Sequence, residues 1–141
     1  MKAKEYYQAL RDALRDIEAA DFRPILNLLR HSRESKGTVW VMGNGGSQAN
    51  AGHLVLHLNQ LGFPSHDLLG ETALITALSN DTDYAKVGSL RIQQSAHAGD
   101  ILIVLSGSGD SPNVVLALAQ AHILGLKTVG LLGMGGGMAL Q

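Results

Sequence analysis

The run Ile101-Leu-Ile-Val-Leu105 constrains this chain more than any other stretch. Five apolar residues stand without a polar interruption, broken at once by Ser106-Gly-Ser-Gly-Asp-Ser111 and then by Pro112. A strand that reads as continuous rather than alternating is hidden on both faces, as in a parallel sheet covered on each side. Pro112 suits the first turn of a following helix, where a missing N–H costs little. The same order recurs twice. Thr38-Val-Trp-Val-Met42 ends in Gly43-Asn-Gly-Gly-Ser47 and leads into a helical stretch over 48–61, and Thr128-Val-Gly-Leu-Leu132 runs into Gly133-Met-Gly-Gly-Gly137. A weaker strand is expected over 65–69, a short helix over 72–78, a polar loop over 79–83, and helices over 84–96 and 112–124. Strands alternating with helices predict an α/β fold of βαβ units: a parallel sheet with helices on both faces.

Two amphipathic helices are expected before the first strand. The first, over 3–20, repeats Tyr6, Leu10, Ala13, Leu14 and Ile17 at three- and four-residue spacing. The second, over 22–35, carries Phe22, Ile25, Leu26, Leu28 and Leu29, with Asp21 as its candidate N-cap and Gly37 as its stop. The expected organisation is one domain over 1–141, with helices over 1–36 and an α/β core over 37–141. The chain stops in Met-Ala-Leu-Gln soon after the third Gly-rich loop, which predicts a missing final segment.

Composition narrows the function. Eleven Lys and Arg against twelve Asp and Glu give a formal charge of −1, which argues against nucleic acid or an anionic membrane held by bulk charge. No cysteine is present, so disulfides, thiolate metal ligands and a cysteine nucleophile are excluded. No apolar run approaches the ~20 residues of a membrane span, and the charged amino terminus lacks a signal core, so a cytoplasmic protein is expected.

The Gly- and Ser-rich loops fall at the carboxyl ends of the strands, where such sheets bind ligands. Ser106, Ser108 and Ser111 can donate to phosphate oxygens, Gly107 and Gly109 let the backbone approach, and the next helix turns its free N–H groups toward the loop. The ordinary alternative is a flexible loop with Asp110 or Ser111 as a cap. Gly43-Asn-Gly-Gly-Ser47 has the same setting, but the dinucleotide pattern needs glycine where Gln48 stands, and no Gly-Lys-Ser/Thr follows. No nucleotide is expected. His53 and His57 lie four residues apart on one helix face. That spacing serves a structural pair, two ligands of one metal, or an acid and base beside a substrate. Asn80 and Asp81 suit either a helix cap or sugar hydroxyls. His31, His66, His97 and His122 have no supporting pattern, and Trp40 reads as core.

Together these segments resemble the SIS (sugar isomerase) domain family, and more narrowly its phosphoheptose isomerase branch. The match runs in order through Gly43-Asn-Gly-Gly-Ser47, Asn50-Ala-Gly-His53, Ser79-Asn-Asp81, Ser106-Gly-Ser-Gly-Asp-Ser-Pro-Asn-Val114 and Gly133-Met-Gly-Gly-Gly-Met-Ala139. The resemblance implies a three-layer, flavodoxin-like sheet of five parallel strands, here without its last strand and helix. It implies a homotetramer or homodimer with sites at subunit interfaces. It places a sugar phosphate on Ser106, Ser108 and Ser111, with Gly107 where threonine is usual. Asn44, Gly45 and Ser47 would line the sugar site, and Asp81 would meet a substrate hydroxyl. His53 matches a histidine that holds zinc in some members. The family's catalytic glutamate falls at position 57, which here is histidine, so the resemblance makes His57 the candidate base and, with His53, a candidate zinc ligand. The implied reaction is aldose–ketose isomerisation of a sugar phosphate such as sedoheptulose 7-phosphate. The alternative is a non-catalytic relative that senses a sugar phosphate or binds a protein, as one SIS protein does with the bacterial replication initiator.

Overall fold

The computed structural model describes residues 2–141. Two helices come first, α1 (Ala3–Ala19) and α2 (Arg23–Glu34), followed by β1 (Val39–Gly43), α3 (Gly46–Gln60), β2 (Ser65–Asp67) and α4 (Thr72–Asp81). A 3₁₀ turn over Tyr84–Lys86 leads into α5 (Val87–Ser95), then β3 (Ile101–Ser106), α6 (Pro112–Ile123), β4 (Lys127–Leu132) and a closing 3₁₀ turn over Gly137–Leu140. The four strands form one parallel sheet in the order β2-β1-β3-β4.

The sheet sorts its side chains by parity, because successive strand residues face opposite ways. Val39, Val41, Ile101, Ile103 and Val129 point to one side, against Ala51 and Leu58 of α3 and Ile25, Leu28 and Leu29 of α2. Trp40, Met42, Leu102 and Val104 point to the other, against Val87 and Ile92 of α5 and Val114, Ala117 and Ala121 of α6. The result is the expected three layers. Burying each such aliphatic side chain contributes roughly 1.5–3 kcal/mol. Strand β4 is different: Lys127, Thr128, Gly130 and Leu131 are exposed, as befits an edge.

Several boundaries depart from the sequence reading. Strand β2 is three residues long rather than five, because the Asp67 carboxylate accepts the Leu69 N–H at 3.0 Å and turns the chain. Helix α4 runs on through Ser79, Asn80 and Asp81, where a loop is expected from composition. It stops at Thr82, whose amide and hydroxyl both donate to the Leu78 carbonyl, at 3.0 and 2.7 Å. The helix expected over 84–96 is split, with Asp83 capping the 3₁₀ turn by accepting from Ala85 N at 2.8 Å. Asp21 accepts the Arg23 amide as well as its guanidinium, and that guanidinium holds the Asp21 carboxyl below its ordinary range. Helix α1 contributes no buried residue; Tyr6, Tyr7, Leu10, Leu14 and Ile17 are all exposed.

Candidate functional site

Strands β1 and β3 are neighbours in register, with Met42 opposite Val104 and Gly43 opposite Leu105. The loops that follow them, opening at Asn44 and Ser106, therefore emerge side by side. This is the one place where the expected phosphate and sugar residues come together.

Local chemistry dictates how the first loop turns. At Gly43, a β-carbon would stand 2.7–2.8 Å from atoms of Ser47, so only glycine lets α3 fold back onto β1. Gly45 then enters the helix at φ +54°, which glycine adopts freely. Gln48 ties the turn down: its Oε1 accepts from Gly43 N at 3.0 Å, and its Nε2 donates to the Asp67 carboxylate at the end of β2. Asn44 is held as well. Its side chain and that of Asn113 form a reciprocal amide pair at 2.9 and 2.8 Å, and the Tyr84 hydroxyl donates to the Asn44 Oδ1 at 2.8 Å. Asn113 is buried in the first turn of α6, so this pair bolts the first loop to the helix that rises from the second. The Asn44 amide nitrogen keeps one N–H beyond the pair.

The second loop folds inward. The Ser106 hydroxyl, buried, accepts from Gly109 N at 3.0 Å, and that of Ser108 accepts from Asp110 N at 3.2 Å. Each hydroxyl still has its own proton to give. Ser111 is the N-cap of α6 but makes no side-chain cap bond, so its hydroxyl stays free for a ligand at the positive end of that helix. The third Gly-rich segment is a brace. Gly133 N donates to Ser106 O at 3.0 Å, Ala139 N to Gly109 O at 3.0 Å, and Met138 N to the Asp110 Oδ1 at 2.8 Å. Gly109, at φ +75°, sits so tightly under Gly136 that a β-carbon would overlap the Gly136 carbonyl.

The histidine pair lies apart from the two loops. His53 and His57 stand on the exposed side of α3, about 10 and 16 Å along the axis from its first residue, at 1.5 Å per residue. Their Nε2 atoms meet at 3.0 Å, with the rings edge to face. Two nitrogens on one tetrahedral zinc stand about 3.3 Å apart, so the pair could supply two ligands. Among the described residues no group of three or more His, Asp, Glu or Cys converges on a metal position. Asp81 ends α4, exposed, and accepts from Asn80. Tyr84, three residues further on, is what reaches the loops.

The family model described as "SIS domain" matches residues 5–133. The chain belongs to the SIS domain family. Among curated relatives of this SIS chain, the phosphoheptose isomerase of Geotalea daltonii is 39% identical over 119 residues, covering 80% of this chain and 62% of that protein. That of Desulfovibrio desulfuricans is 38% identical over 107 residues, 72% of this chain and 51% of that one. The SIS chain thus spans between half and about three fifths of these two relatives' length. Among solved structures, the phosphoheptose isomerase of Neisseria gonorrhoeae superimposes with a TM-score of 0.88 at 26% identity, covering 98% of this chain and 76% of that one. The Francisella tularensis enzyme gives 0.81 at 28%, covering 99% and 79%.

Tyr84, Gln48 and Asp67 do not stand out in the sequence. Each works through a partner brought close by the fold, 40 residues away for Tyr84 and Asn44 and 19 for Gln48 and Asp67. Asn113 does lie inside the second motif, but its partner Asn44 is 69 residues distant.

Proposed function

We propose that this SIS chain binds a sugar phosphate and isomerises it between aldose and ketose, as the phosphoheptose isomerases it resembles are named for doing. Sedoheptulose 7-phosphate is the first substrate to test. One observation carries the reading: the Asn44 and Ser106 loops lie side by side at the carboxyl edge of β1 and β3, one with a free N–H and the other with hydroxyl donors at a helix N-terminus. Ser106, Gly107, Ser108 and Ser111 hold the phosphate, without a lysine or arginine in the loop. Asn44, Gly45 and Ser47 line the sugar, and Asp81 receives a hydroxyl from the outer rim. Residues 1–141 all belong to one SIS domain in this reading.

His57 is the base in this reading. It takes a proton from C1 of the ketose; the electrons of that C–H bond form the C1=C2 bond, those of the carbonyl go to the C2 oxygen, and that oxygen takes a proton from water to give the enediol. The C1 hydroxyl then returns a proton to water as C1=O forms, and the abstracted proton is delivered to C2 to give the aldose. A positioned base is worth about 10²–10⁴ in rate. The 3.0 Å contact between the two Nε2 atoms needs one ring to donate and the other to accept, which fixes the two rings against each other. Zinc would take both nitrogens and need further ligands from another subunit, and no step here runs through it. The exposed apolar stripe of α1 supports a homotetramer or homodimer, and the absence of a carboxylate at position 57 keeps a non-catalytic, partner-binding role in play.

Proton exchange separates the two. Incubated with sedoheptulose 7-phosphate in D₂O, the protein is expected to exchange a C1 proton of the substrate, and His57→Ala to slow this by about a hundredfold or more. Unchanged exchange in His57→Ala removes the base. No exchange, with the protein's own spectrum still shifted by the sugar phosphate, leaves a binding protein.

A further inference from the structure

A hollow of about 480 Å³ opens at the opposite, amino-terminal end of the sheet, between the end of α2, the turns entering β1 and β3, and the start of β4. The length of β3, from Ile101 to Ser106, separates it from the phosphate loop by about 16 Å.

Its lining is basic. Lys36 and Lys127 face it with His31 and His97, and the one carboxylate in the wall is that of Asp100. That carboxylate is already engaged: it accepts from Thr38 N at 2.9 Å, from the Trp40 Nε1 at 3.0 Å and from His97 N at 3.0 Å. Among the described residues the two ammonium groups make no ion pair with an acid. Lys36 also holds φ at +57°, just past the end of α2. The left-handed backbone there favours glycine, while the end of the helix dipole favours a cation such as Lys36.

A second observation points to a ligand. The Ser32 side chain, also in the wall, is 2% exposed, and its hydroxyl has no hydrogen-bond partner. Buried hydroxyls are nearly always paired, so an orphan asks what completes it. Beside it stands Gly37, where a β-carbon would come within 2.9 Å of that hydroxyl oxygen. The Gly99 carbonyl oxygen would stand 3.3 Å from the same β-carbon, so a larger residue would press on the hydroxyl.

We propose that this hollow is a second anion site, taking phosphate or a small phosphate monoester between Lys36 and Lys127 with Ser32 as a hydroxyl donor. The inference stands independently of the isomerase reading. The chain carries its own reporter, since Trp40 is the only tryptophan and its indole N–H rests on Asp100.

The test is a titration of the ¹⁵N-labelled full chain with inorganic phosphate at constant ionic strength, and in a second arm with glycerol 1-phosphate. The Trp40 indole and Thr38 amide signals are expected to shift together and saturate. Lys36→Asn with Lys127→Gln should weaken this by about tenfold or more; asparagine tolerates the left-handed position. Ser32→Ala should weaken it while leaving the unliganded protein as stable or more so. Ser108→Ala with Ser111→Ala, at the other end of the sheet, should leave these shifts intact. Tighter binding of the ester than of free phosphate assigns the site to a phosphometabolite, and equal binding assigns it to phosphate itself. Shifts confined to residues 106–111, or signals indifferent to the lysine substitutions, would overturn the proposal.

Discussion

Gly107 and Gly109 look alike in the sequence, two glycines in one serine loop, yet they do different things. Gly109 is fixed by geometry: positive φ and the Gly136 carbonyl overhead leave no room for a β-carbon. Gly107 has nothing within 4 Å of where its β-carbon would stand, and its backbone needs no glycine. Gly109→Ala should therefore lower stability by about 1–3 kcal/mol and abolish sugar-phosphate binding. Gly107→Thr, the residue that the resemblance implies at this position, should fold normally and bind at least as tightly. Thermal melts and a phosphosugar titration on both variants check the pair; equal damage from the two would remove the distinction. At this scale the sequence shows which residues can donate but not which are already engaged. Ser106, Ser108 and Asn44 are legible as donors, yet each is also a framework atom, because backbone amides and a buried amide side chain claim part of their capacity. Those claims come from partners that only folding brings near.

Elements with a strong period or a hard stop are legible, and those set by a single side-chain bond are not. The continuous apolar run of β3, and α6 with its proline start, fall close to where the sequence places them. The short β2 and the long α4 do not, since one is ended by the Asp67 carboxylate and the other by Thr82, both of which look like generic polar residues. The parity of the sheet gives this scale its prediction. Leu102, fully buried in the centre of the α5–α6 face, should cost about 2–5 kcal/mol when cut to alanine. Leu131, 48% exposed on edge strand β4, should stay within about 0.5 kcal/mol for the same change. Urea unfolding measures both, and a large loss at Leu131 would show that the edge is covered in solution.

For the whole molecule, α1 is the part the fold does not explain. Its periodicity is read correctly from the sequence, but the partner for its apolar stripe is not within the described chain, where all five of its large apolar residues stay exposed. Contiguous apolar surface of this kind marks an interface. Leu10→Glu with Leu14→Glu is expected to shift the protein to a smaller species in light scattering after size exclusion while the melting temperature of the α/β core changes little. Persistence of the larger species would move the interface elsewhere.

The brace of residues 133–139 over the serine loop also orders events in time. During synthesis β3 and the loop after it leave the ribosome well before their clasp exists, because the residue that locks Asp110 is made 28 positions later. Until then the loop has its serines but not its shape. A nascent chain halted at β4 would already contain every proposed phosphate ligand but not the amides of Met138 and Ala139 that hold the loop at Asp110 and Gly109. The grip proposed for the serine loop thus depends on residues made after every one of its ligands.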